Sequence, residues 1–128
     1  MTGKASRDKG ARGERELADI LSHELGFVVK RKLGQARDGG DDIQVGRFRI
    51  EVKRREKLSI DAWCEQVEKA SEPGDVPVLI YRRNGQPWRA VVGLEWFIKM
   101  MREELSDAER DAEKDSGQGG RGDRAEVV

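Results

Sequence analysis

The stretch Asp42-Ile43-Gln44-Val45-Gly46-Arg47-Phe48-Arg49-Ile50-Glu51-Val52-Lys53 decides the reading of this chain. Apolar and polar residues alternate on both sides of Gly46-Arg47, as they do along half-buried strands. Gly-X between two such runs fits a two-residue hairpin turn. With that turn, Val45 faces Phe48, Gln44 faces Arg49, Ile43 faces Ile50 and Asp42 faces Glu51. The pairs Ile43/Ile50 and Val45/Phe48 then share one face, and Asp42, Gln44, Arg49, Glu51 and Lys53 share the other. A slip of one residue would turn the apolar side chains to solvent, so the register is specified by the pattern itself.

This register sets two carboxylates across from each other, roughly 4.5–5.5 Å apart at Cβ, where like charges destabilise. Something positive between them relieves that cost. Lys53, two residues from Glu51 on the same face, is one candidate, and the cluster is then an ordinary salt bridge. A hard divalent cation is the other, because carboxylate oxygens and water suit Mg²⁺ or Mn²⁺. Asp41 would point with Ile43 or fall in the preceding loop, so Asp42 is the acid that joins Glu51.

Outward from the hairpin, residues 9–25 carry Leu17, Ile20, Leu21 and Leu25 at helical spacing, and Gly26 supplies a stop. Residues 1–8 are polar and read as loose. Phe27-Val28-Val29 reads as a short strand, and 34–41 (GQARDGGD) as a polar, glycine-rich loop. Ser59 can cap a helix to Ala70, with Ile60, Trp63, Val67 and Ala70 on one side. Residues 76–83 and 88–92 read as strands around the turn Asn84-Gly85-Gln86-Pro87. Residues 94–105 form a last helix with Phe97, Met101 and Leu105 as its stripe. The expected order is α-β-β-β-α-β-β-α, an α/β domain over 1–105 with a mixed five-stranded sheet flanked by helices. From Ser106 the composition turns acidic and then glycine-rich, and 106–128 is expected to be a disordered tail.

Length and composition agree with one small domain. The chain has 128 residues, of which 39% are charged and 5% aromatic. One Cys excludes an internal disulfide, and one Cys with one His excludes a structural zinc site built from those ligands. No apolar run approaches a membrane span, and the first residues have no apolar signal core. A cytoplasmic protein, of a bacterial, archaeal or phage-infected cell, is expected. The net charge of zero hides an asymmetry. Residues 1–57 hold 15 Lys/Arg against 10 Asp/Glu, a net of +5, and the remainder is −5. A basic half points to a polyanion partner.

Asp42 followed by Glu51-Val52-Lys53 after a hairpin resembles the signature of the PD-(D/E)XK nuclease superfamily, although Asp41 stands where a Pro is usual. Lys9-Gly10-Ala11-Arg12-Gly13-Glu14-Arg15-Glu16-Leu17 is similar to the first helix of archaeal-type Holliday junction resolvases. Val76-Pro77-Val78-Leu79-Ile80 and Trp88-Arg89 look like that family's later strands. The resemblance covers roughly residues 9–97. It implies a restriction-endonuclease-like core and a Mg²⁺- or Mn²⁺-dependent, structure-selective DNA endonuclease that nicks four-way junctions as a homodimer. Trp96-Phe97 could supply dimer contacts.

The resemblance also implies the site. Glu14, Asp42, Glu51 and the carbonyl of Val52 would be metal ligands, and Lys53 would serve the reacting phosphate. Gln66 enters because relatives place a polar residue of this helix at the site. Arg15 carries over as a DNA contact. The cations Lys9, Arg12, Lys30, Arg31, Lys32, Arg37, Arg54, Arg55 and Lys57 are further candidates for phosphate contacts, which position DNA without reading its sequence. His23 falls on the polar side of the first helix. Cys64 has no His neighbour to activate it. Gly39-Gly40 lacks the Gly-Lys-Ser/Thr of a phosphate loop. Two other readings stay open: a different PD-(D/E)XK nuclease of repair, restriction or phage DNA processing, and a DNA-binding module whose acids are structural.

Overall fold

The computed structural model describes residues 3–31 and 42–119. Lys32, Arg37 and the expected loop 34–41 lie outside the described residues. The chain divides into two compact units, Met1–Gly93 and Leu94–Val128.

The first unit holds α1 (Gly3–Leu25), β1 (Asp42–Val45), β2 (Phe48–Arg54), α2 (Ile60–Ala70), β3 (Val76–Arg82) and β4 (Arg89–Val92). Its four strands lie in the order β1-β2-β3-β4. β1 and β2 pair antiparallel with the register expected from the pattern: Asp42 with Glu51, Ile43 with Ile50, Gln44 with Arg49 and Val45 with Phe48. Gly46 makes the turn at a φ of 56°, a conformation open to glycine, and Arg47 follows with negative φ. β2 and β3 run parallel, joined through α2, and β4 returns antiparallel to β3. A parallel pair needs such a crossover, and a helix is its usual form.

The two helices cover opposite faces of the sheet. A Cβ on Gly13 of α1 would lie 2.9 Å from the Cβ of Arg54, so α1 packs on the side to which Arg54 points. Trp63 of α2 stands over Lys53, the preceding strand residue, which points the other way. The α1 side gathers Ile43, Ile50, Val52 and Val78 with Leu17 and Ala18, all buried. On the other face Leu79 of β3 and Val67 of α2 are buried.

The sheet differs from expectation in its first strand. Five strands were expected, and four are formed among the described residues. Residues 27–30 take no regular structure, and Arg31 makes one isolated antiparallel bridge to Ile43. The reason lies in the helix before it. The Val29 N–H donates to Ser22 Oγ at 2.7 Å, so a donor that a strand ladder would use is spent on α1. The order is accordingly α-β-β-α-β-β-α-α. One helical boundary also moves. α1 begins at Gly3 rather than near residue 9, because Lys4, Ala5, Ser6 and Arg7 contain no helix breaker. Ser59 sits at the N-cap of α2 without a side-chain cap bond; Trp63 N–H donates to its carbonyl at 3.0 Å.

The second unit holds α3 (Leu94–Glu104) and α4 (Asp107–Gly119). α4 falls in the stretch read from composition as a tail. Its start is a capping box: Glu109 N–H donates to Ser106 Oγ at 3.1 Å, and Glu109 Oε1 accepts from the Ser106 amide at 3.3 Å. The division of the chain into 1–105 and 106–128 stays an expectation.

Candidate active site

β2 sits between β1 and β3 under helices on both faces, and every residue from Arg49 to Lys53 is buried. Its polar alternation therefore does not end in solvent. Glu51 is 2% exposed and Lys53 7%, and Lys53 Nζ lies 3.4 Å from Glu51 Oε2. Burying two charges costs several kcal/mol per ion before their attraction is counted, so a salt bridge here is a poor device for stability alone. Asp42 occupies the register position opposite Glu51 on β1.

The ammonium of Lys53 has an aromatic side as well. The Trp63 ring centroid is 5.8 Å from Nζ, and Tyr81, the β3 register partner of Lys53, has its ring 6.4 Å from that of Trp63. Trp63 is the α2 side chain over Lys53. Gln66, expected at the site, is half-buried one turn further along. Trp63 was legible only as a member of the apolar stripe with Val67.

Glu14 is 3% exposed on α1 and accepts from Arg31 Nη1 at 3.0 Å. Arg31 also bridges to Ile43, the neighbour of Asp42, so one residue ties the buried acid of α1 to β1 by side chain and backbone together. Arg31, Arg15 and Lys30 line a groove of about 340 Å³ whose other walls are Ala18, Asp19 and Val29. Arg12 and Lys57 are exposed, and Lys9 lies within α1. Arg54 and Arg55 are half-buried. Arg54 reaches Glu16 at 3.8 Å and Asn84 at 3.2 Å, and Arg55 donates to the carbonyl of Arg54. Their guanidiniums are thus engaged within the protein.

Sequence reasoning missed Glu16. Its carboxylate accepts from Arg82 Nη2 at 3.0 and 3.1 Å and from the Trp88 indole at 3.2 Å. It fastens α1 to β3 and to the approach of β4. His23 is exposed in the last turn of α1. Burial, with Glu68 and Asp61 nearby, pushes the Cys64 thiol up from its ordinary value, which is the opposite of nucleophile activation.

A family model described as "Phage putative PDDEXK endonuclease" matches residues 5–114. The chain belongs to this PDDEXK endonuclease family. The match runs through α1, the β1–β2 hairpin and α2, and so includes Glu14, Asp42, Glu51 and Lys53. Among solved structures, the chain is similar to Hjc, a Holliday junction resolvase from the archaeal hyperthermophile Archaeoglobus fulgidus. The two are 29% identical over 66% of this chain and 72% of that one, with a TM-score of 0.48. No curated protein matches the chain.

PDDEXK nucleases generally use divalent metal ions. Among the described residues no group of three or more His, Cys, Asp or Glu converges as a metal cage. The donors that this PDDEXK chain does offer fit such an ion in kind. Glu51 is a buried carboxylate, Asp42 stands opposite it in the ladder, and both are hard oxygen donors of the sort Mg²⁺ and Mn²⁺ take. No helix among the described residues is long and apolar enough to cross a membrane.

Proposed function

We propose that the chain is a metal-dependent endonuclease that hydrolyses phosphodiester bonds in DNA, acting as a homodimer on four-way junctions. The observation that carries the reading is the buried Glu51–Lys53 pair beneath α2, with Asp42 across the ladder from Glu51. Membership of the PDDEXK endonuclease family supports it. The junction preference rests on the likeness of 9–17 to the first helix of junction resolvases, and the dimer on the need of paired nicks for two sites related by a two-fold axis.

In this mechanism Asp42, Glu51 and the carbonyl oxygen of Val52 would hold one Mg²⁺ or Mn²⁺, and Glu14 would join them directly or through water. Such an ion would supply Lewis acidity at the phosphate and would lower the pKa of a water molecule. Lys53 orients the attacking water and stabilises charge that develops on the phosphate oxygens. Its burial strengthens that effect, since a charge in a low-dielectric site acts on its neighbours with little screening. Glu51 holds the ammonium from one side. Arg15, Lys30 and Arg31 receive the DNA backbone along their groove, Arg12 and Lys57 add contacts from exposed positions, and Lys9 of α1 adds another; Gln66 flanks the site.

The test is whether the purified protein makes paired nicks in an immobile four-way junction with Mg²⁺ and stops when the metal is chelated. Nicks on one strand only, or equal affinity for a linear duplex, would remove the junction reading and leave a general PDDEXK nuclease. Binding without any cleavage would favour a DNA-binding module.

A further inference from the structure

We infer that Trp63 is a positioning residue for Lys53: its indole face holds the buried ammonium against Glu51. The inference rests on the catalytic assignment of Lys53 above.

A lysine side chain has four rotatable bonds, and a charge on its end seeks water. Lys53 instead keeps its ammonium in a site 7% exposed. Glu51 Oε2 at 3.4 Å is one anchor. That distance is long for a charge-assisted hydrogen bond, which prefers about 2.7–2.9 Å, so the carboxylate by itself leaves the ammonium room to move. The Trp63 ring, 5.8 Å away, lies within cation–π range of Nζ, and indole is the strongest of the aromatic partners. Tyr81 supports the arrangement from below. It pairs with Lys53 across β2 and β3, and its ring meets Trp63 at 6.4 Å with a tilt of 50°, a favourable aromatic geometry.

The chain builds this contact from distant segments. Ile60-Asp61-Ala62-Trp63 opens α2, and the helix crosses from β2 to β3 over the face that carries Lys53 and Tyr81. Trp63 is itself half-buried, and its ring covers one side of the ammonium. A smaller aliphatic residue at 63 would preserve the helix and remove the electrostatic face. The expected consequence is a slower chemical step with unaltered DNA binding, because Trp63 acts through Lys53.

The experiment compares Trp63→Phe, Trp63→Leu and Lys53→Ala in the full chain. Three quantities are read: single-turnover cleavage of a four-way junction with Mg²⁺, junction affinity with Ca²⁺, and the hydrogen-exchange rate of the Lys53 ammonium by ¹⁵N NMR without DNA. Trp63→Leu is expected to slow cleavage about tenfold, the worth of a partly desolvated cation–π contact, and to speed ammonium exchange by a similar factor. Affinity is expected to stay within about twofold, well under that effect. Trp63→Phe is expected to restore most of both losses. Trp63→Leu cutting at the wild-type rate while Lys53→Ala is inactive would overturn the inference and leave the active site standing. Lys53→Ala cutting at the wild-type rate would overturn the catalytic assignment instead. If Trp63→Leu does not fold, Trp63→Phe and the wild-type exchange rate decide: an ammonium exchanging as fast as a surface lysine contradicts the inference.

Discussion

Lys53 Nζ and Glu51 Oε2 lie 3.4 Å apart on one face of β2, and both residues are buried. An i,i+2 pair on a strand shares a face by the pleat alone. What makes this pair unusual is that a helix closes over it. The structure spends desolvation energy on two charges where an apolar pair would pack at no such cost. That cost supports the proposal that the pair belongs to a functional site.

Removing one member should therefore expose the cost. Lys53→Met leaves Glu51 without its buried ammonium and is expected to lower stability by about 3 kcal/mol. The double variant Glu51→Gln/Lys53→Met should recover much of that loss. Urea denaturation of the wild type, both single variants and the double variant checks this. Additive losses would show that the two groups do not depend on each other.

Glu16 makes a second long-range prediction. Its bonds to Arg82 and Trp88, with Arg54 at 3.8 Å, fasten α1 to the sheet. Glu16→Ala is expected to cost about 2 kcal/mol, in the range of charged hydrogen bonds that are partly exposed. The fluorescence of Trp88 should shift as its N–H loses its acceptor. A variant of unchanged stability would show that α1 is held by its apolar face alone.

Gly13→Ala tests the closeness of α1 and β2. Alanine favours a helix over glycine by about 1 kcal/mol, so an open position would gain stability. Here the new methyl would stand 2.9 Å from the Arg54 Cβ, which is fixed to the backbone of the central strand. The expected outcome is a net loss of about 1–2 kcal/mol by thermal denaturation. A gain would mean that α1 can lift away freely.

Much of this was legible in the sequence where spacing is local. The β1–β2 register followed from a period of two and one Gly-X turn, and all four pairs stand as the pattern required. The strand expected at 27–29 was not legible as a loop, because its amide partner, the Ser22 hydroxyl, is a side chain on the preceding helix. Glu16 meets Arg82 and Trp88 across most of the domain, and no periodicity reports a contact of that range. The α4 cap was in plain view as Ser106-Asp107-Ala108-Glu109, but composition outweighed it. In the proposed site, the shared face of Glu51 and Lys53 was readable from the strand. Trp63 was not, since a tryptophan at helical spacing reads first as core.

Cys64 offers a pH test. Burial and the acids Glu68 and Asp61 raise its thiol above the ordinary value. A raised thiol carries less thiolate at neutral pH, and the thiolate is the reactive form. Alkylation by iodoacetamide should therefore run slower than for a free cysteine, and the rate should climb with a midpoint displaced to higher pH. A midpoint at or below the ordinary thiol value would contradict the environment described for α2.

We propose that Asp42, Glu51 and Lys53 form a metal-dependent phosphodiesterase site. Single-turnover cleavage of a four-way junction by the wild type and Glu51→Gln, with junction affinity measured alongside, tests it most directly. The account predicts that the wild type cuts with Mg²⁺ and not after chelation. It predicts that Glu51→Gln fails to cut yet binds the junction as tightly or more tightly, because an acid that repels phosphate has been removed. Cleavage by Glu51→Gln at the wild-type rate, or by the wild type without a divalent ion, would contradict it.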